Sequence, residues 1–185
     1  EICTSFRSKY PKVQFHLHTA TADVVRNCMT QGLVDIGLFM EPISTEGLDY
    51  VRLPGQETWV VSMRPDDLLA QKTPITKVDL LNKPLILPER ANIQSELANW
   101  FGKDYEHLNV AFVSNLHTNA AIMAKHGLGY PITDRGTMSF WKEDALVHRE
   151  LFPKLSMSTV IAWRRNIPYS QAVLKFIEEI NAFQA

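Results

Sequence analysis

Polar side chains able to grip a ligand gather where an apolar, strand-like run gives way to a helical stripe. Thr19 and Thr21, with Ala22, follow "VQFHLH"; hydroxyls and free N–H groups at such a turn hold an anion or simply cap the helix. Glu89, Arg90, Ala91, Asn92 and Ile93 follow "PLILP", where the planar Arg90 guanidinium can pair bidentately with a carboxylate or phosphate, or stay solvated in a loop. Ser114, Asn115, His117 and Thr118 occupy a third turn of this kind, and there Asn115 or Thr118 can equally act as a cap. In open α/β sheets ligands lie beyond the carboxyl ends of parallel strands. That rule adds Met40, which closes "GLVDIGLFM", and Tyr130 at "YPITD". Hydroxyl, amide and guanidinium groups suit the fixing of a small organic anion rather than its turnover.

Signatures of catalysis are not found. The six histidines, Cys28 and the scattered acids form no nucleophile motif, phosphate loop or paired catalytic set. "HLH" puts His16 and His18 on one strand face, a spacing that suits zinc, but no third ligand stands at a definite distance. The expectation is no catalytic residue, no metal and no cofactor. The two cysteines, Cys3 and Cys28, are too few for a disulfide framework and read as reduced helix residues.

The elements that must carry these turns alternate. "EICTSFRSKY" has a helical stripe at Ile2, Cys3, Phe6 and Tyr10, broken by Pro11. "VQFHLHT" alternates like a half-buried strand, "TADVVRNCMTQG" is a helix stopped by Gly32, and "GLVDIGLF" is the next strand. Together they predict a right-handed crossover with parallel strands. Asp35 sits at the start of that strand, away from its carboxyl end, so its role is to hold the turn. "LDYVRLP" and "ETWVVSMRP" predict a hairpin-like reversal at Gly55 and Gln56. A second strand and helix series runs from "KPLILPE" to "GYPITD"; "LVHRELF" and "STVIAWRR" return as strands, and "PYSQAVLKFIEEINAF" closes as a helix with Pro168 near its start.

Composition bounds the function. A chain of 185 residues, 45% hydrophobic, can bury a sizeable core. Nineteen basic side chains against 20 acidic ones give no field that favours nucleic acid or an anionic membrane. No apolar run approaches the roughly 20 residues that span a bilayer, and the N-terminus has no signal-peptide core, so a cytoplasmic location with no membrane partner is expected.

Six pieces in order, "FRSKYPKVQFHL", "QGLVDIGLF", "ETWVVSMRPDDLLA", "DLLNKPLIL", "IMAKHGLGYPITD" and "AWRRNIPYSQAVLKFIEEI", resemble the effector-binding domain of LysR-type transcriptional regulators nearly end to end. The resemblance implies an α/β fold of two Rossmann-like lobes joined by two crossover strands, of the type 2 periplasmic-binding-protein kind. Lobe I would comprise residues 1–62 plus 162–185, and lobe II residues 63–161. It implies that the domain's first strand is missing from the chain, leaving "VQFHLHT" without a partner, and that DNA is bound only through a domain absent here. The usual apolar-proline ending after "GLG" is replaced by "YPITDRG". The implied function is sensing of a small-molecule effector, held between the lobes by Thr19, Thr21, Met40, Arg90, Asn92, Asn115, His117, Thr118 and Tyr130, in a homodimer or homotetramer. Family domains pair antiparallel, which would set residues 1–18 against about 117–127 of the partner subunit. The alternatives are a transporter's solute-binding protein of the same fold and a small enzyme on that fold.

Overall fold

Pro11 and Gly32 stop the first two helices where the periodicity ends: α1 spans Ile2–Lys9 and α2 spans Ala22–Thr30. The structure, a computed structural model, describes residues 1–141 and 144–183, so the expected lobes' residues 142–143 and 184–185 lie outside the described residues. Strands β1 (Ile36–Met40), β2 (Leu48–Arg52), β3 (Glu57–Met63) and β4 (Ile75–Thr76) come next. Then follow α3 (Lys77–Leu80), β5 (Leu85–Pro88), α4 (Ala91–Phe101), β6 (Val110–Ser114), α5 (His117–Lys125), β7 (Tyr130–Asp134) and α6 (Arg135–Met138). The chain finishes with β8 (Val147–Phe152), β9 (Ser156–Met157), β10 (Thr159–Arg164) and α7 (Gln171–Ala182).

The chain divides into two compact units, Glu1–Gly55 with Ser158–Ala185, and Gln56–Met157. In the first unit β10 is the middle strand of a sheet ordered β1, β10, β2, antiparallel on both sides. Alternation along β10 serves two cores. Val160 and Ala162 pack with Met29, Phe39 and Leu48 beneath α2, while Ile161 and Trp163 meet Val51 and Ile180, with Phe176 and Ile177 of α7 against them. A strand buried on both faces reads as a continuous apolar run, as "VIAW" does. Phe6 of α1 is fully buried; its ring centroid lies 5.0 Å from Phe176 and 5.9 Å from Phe15, a burial worth about 1.5–3 kcal/mol.

The expected strand "VQFHLHT" does not form. Residues 13–19 run without regular secondary structure, held by the Phe15 anchor. β1 makes a ladder with β10 alone among the described strands. A strand needs a neighbour to take its N–H and C=O groups, and the alternation of 13–19 supplies side chains but no ladder. The predicted parallel crossover is corrected accordingly.

The second unit holds a sheet ordered β4, β8, β3, β7, β5, β6, with β9 also paired to β3. Here β7, β5 and β6 are parallel, whereas β3 runs antiparallel to β7 and β8. The anticipated hairpin of β2 and β3 is absent: β2 pairs β10 in one unit, and β3 pairs β7, β8 and β9 in the other. Accordingly residues 56–62, assigned to lobe I by resemblance, belong with the second unit, and 158–161 with the first. Gly129 lets β7 start against β5: a Cβ there would stand 2.5 Å from the Pro84 carbonyl oxygen, which accepts from Tyr130 N–H at 2.8 Å.

Candidate functional site

Three parallel strands of the second unit deliver their carboxyl ends to one edge of its sheet. β5 ends at Pro88 and β6 at Ser114, and the two turns are tied by Glu89 N–H donating to the Ser114 carbonyl at 3.0 Å. The Gln94 amide returns to the Pro88 carbonyl at 3.0 Å, bracing the start of α4. Two residues after Asn115, His117 opens α5. β7 ends at Asp134, and the His117 Nδ1 stands 2.7 Å from Asp134 Oδ2.

Asp134 is buried, with 4% of its surface exposed. Its Oδ1 accepts from Thr137 N–H at 2.7 Å and its Oδ2 from the Thr137 hydroxyl at 3.0 Å, capping the short α6. Burial pushes the carboxyl up, but hydrogen bonds from His117 and Thr137 outweigh it and hold Asp134 below the usual carboxylate range. A second acid closes the turn, where Glu57 Oε2 accepts from Gly136 N–H at 3.2 Å. Trp59, opposite Asp134 in the β3 and β7 register, meets the His117 ring edge-on at 6.5 Å. Its buried indole N–H has no hydrogen-bond partner among the described residues. An uncompensated buried donor of this kind costs about 1–3 kcal/mol.

The anticipated residues distribute unevenly over this frame. Arg90, half-buried, occupies the N-cap position of α4, with Asn92 in its first turn; Asn115 and Thr118 are exposed beside His117. These residues share one edge of the second unit. Tyr130 does not join them. It opens β7, with Asp134 at the strand's far end, and its hydroxyl donates to Asp67. Burial, then the Asp67 bond and charge, push the Tyr130 phenol well above its ordinary range. In the first unit Thr19 is exposed, Thr21 is the N-cap residue of α2 without a side-chain capping bond, and Met40 ends β1 opposite Thr159. Sequence reasoning missed Glu57 and Trp59, and noted Asp134 only as a departure from a pattern. The Asp134 and Thr137 spacing is a legible helix start, whereas nothing local couples Asp134 to His117.

The first unit contains a groove of about 480 Å³ bounded by residues 13–18 on one bank and 33–38 on the other, with Cys3, Phe6, Ile161 and Phe176 among its walls. Its lining is chiefly apolar, unlike the polar edge of the second unit. Among the described residues no group of three or more His, Cys, Asp or Glu is placed to hold a metal ion. No described helix is long and apolar enough to cross a membrane.

The model of the LysR substrate binding domain family matches residues 1–185. The chain belongs to this family. Among curated proteins this LysR domain is 30% identical over 180 residues to the uncharacterized HTH-type transcriptional regulator YvbU of Bacillus subtilis (strain 168), a match covering 96% of the chain and 60% of that protein. The chain thus spans about three-fifths of the curated relative's length. Its fold is that of solved LysR domains. The regulatory domain of Synechocystis PCC6803 CcmR, in complex with 2-PG, superposes with a TM-score of 0.82 at 20% identity, covering 98% of this chain and 88% of that one. The C-terminal domain of a probable LysR family regulator from Rhodococcus sp. RHA1 gives 0.77 at 17% identity, covering 97% and 90%.

Proposed function

We propose that this LysR domain is the effector sensor of a cytoplasmic transcriptional regulator. A small-molecule effector binds at the turns ending β5, β6 and β7, and its binding energy shifts a conformational equilibrium that controls DNA binding through a domain outside this chain. The observation that carries the reading is the convergence of Arg90, Asn92, Asn115, His117 and Thr118 on one carboxyl-end edge, tied by the Glu89 and Ser114 bond. The effector's acidic group is a small organic anion's, received by Arg90 at the start of α4, where helix N–H groups favour negative charge. The 2-PG bound by the CcmR domain supports a small-molecule guest.

The regulator works as a homodimer or homotetramer. β6 is the outer strand of its sheet, and Val110, Phe112 and Val113 expose 42%, 37% and 54% of their surfaces on it, an apolar edge suited to a partner subunit.

The test is a thermal-shift screen of small organic acids against the wild type, Arg90→Ala and His117→Gln, with affinities of hits measured by calorimetry. Hits that stabilise the wild type and lose about tenfold or more in affinity in either variant support the site. Equal stabilisation of all three proteins by every hit removes these turns from effector binding.

A further inference from the structure

Resting on that reading of the site, we propose that His117 recognises a hydrogen-bond donor on the effector, a hydroxyl or ammonium group, and that Asp134 is the positioning residue that presents it. The argument begins with proton placement. An ionised carboxylate only accepts hydrogen bonds, and Asp134 Oδ2 stands 2.7 Å from His117 Nδ1. The ring proton therefore sits on Nδ1. In the neutral ring this leaves the Nε2 lone pair as the one remaining in-plane hydrogen-bonding position.

The ring is also fixed in orientation. Asp134 is itself held by two bonds from Thr137, and Trp59 packs edge-on against the imidazole. The His117 side chain keeps 24% of its surface exposed, so a ligand can reach it. Charge selects the partner. Asp134 and Glu57 place two carboxylates around the turn that opens α6, so a third carboxylate brought against His117 meets like charge, whereas an O–H or N–H donor satisfies Nε2. With an acidic group at Arg90, the effector class becomes a hydroxy acid or an amino acid rather than a plain acid.

Two measurements on the same labelled protein test this. Two-bond ¹H–¹⁵N spectra of the His117 ring report which nitrogen holds the proton: Nδ1 is expected in the wild type, with Nε2 gaining population in Asp134→Asn. Propionate, lactate and alanine, matched three-carbon probes with no donor, a hydroxyl and an ammonium group, are then titrated. Lactate or alanine is expected to shift the His117 ring signals and to bind at least about tenfold tighter than propionate, a difference that His117→Phe abolishes. A wild-type ring protonated on Nε2 overturns the proposal. So does propionate binding as tightly as the others while shifting amides at 89–93 and 114–118, an outcome that leaves the effector site standing. If none of the probes shifts either turn, the site and the donor preference fall together.

Discussion

The Tyr130 hydroxyl donates to the Asp67 carboxylate at one end of β7 while Asp134 bonds His117 at the other. One strand therefore carries a structural anchor and a candidate ligand contact separated by its length, about 13 Å for five residues.

Tyr130→Phe should cost about 1 kcal/mol of stability through the lost hydrogen bond and leave effector affinity within about twofold, since it is remote from Asp134. Urea unfolding and calorimetry on the same preparation check both. A tenfold affinity loss at unchanged stability would put the phenol back in the ligand site.

Asp134 has its pKa lowered on folding. Its contribution is therefore complete above the unfolded value of roughly 3.9 and fades as pH falls through the depressed folded value. Asp134→Asn removes the charge facing His117 and should cost about 1–3 kcal/mol at neutral pH. As pH falls through that depressed folded value, the stability curves of wild type and variant should converge. Equal pH slopes in the two proteins across the acid limb would show that Asp134 gains nothing from His117.

Asp79 lies in the second unit, accepting from Lys72 and from the Thr76 N–H and hydroxyl. Burial pushes its carboxyl up, but these partners outweigh it and bring it down to about 2. A carbon-detected pH titration should give Asp79 a midpoint well below 3.8, Lys72→Met should raise it, and stability contributed at Asp79 should fade as pH falls from the unfolded value of roughly 3.9 toward about 2. An Asp79 midpoint near 3.8 would contradict the bonding described.

Backbone amides of residues 13–19 lack a strand ladder, whereas those of β10 are paired on both sides. Hydrogen exchange at 13–19 should be faster than at Val160–Ala162 by about a hundredfold or more, a local opening free energy lower by about 3 kcal/mol. Comparable protection would mean that residues 13–19 are paired in solution.

What the sequence by itself determined is the set of elements and their kind. Helical stripes marked α1, α2, α4, α5 and α7, apolar runs marked β1, β5, β7 and β10, and Pro11 and Gly32 marked stops; such signals depend on neighbours within a turn or two. Six ordered segments also carried the family, because each preserves a local pattern at a set distance from the next. Only tertiary structure decided pairing. Alternation in 13–19 described a strand's side chains without a partner for its backbone, and the Gly55 turn joined β2 and β3 without saying that each pairs in a different sheet. The same holds at the site. His117 and Asp134 are 17 positions apart on a helix start and a strand end, and nothing short-range couples them until β7 is laid beside β5 and β3. Tyr130, three residues after Gly127, reads like a site residue in sequence and lies at the other end of its strand because parallel pairing sets which end of β7 meets the turns of β5 and β6.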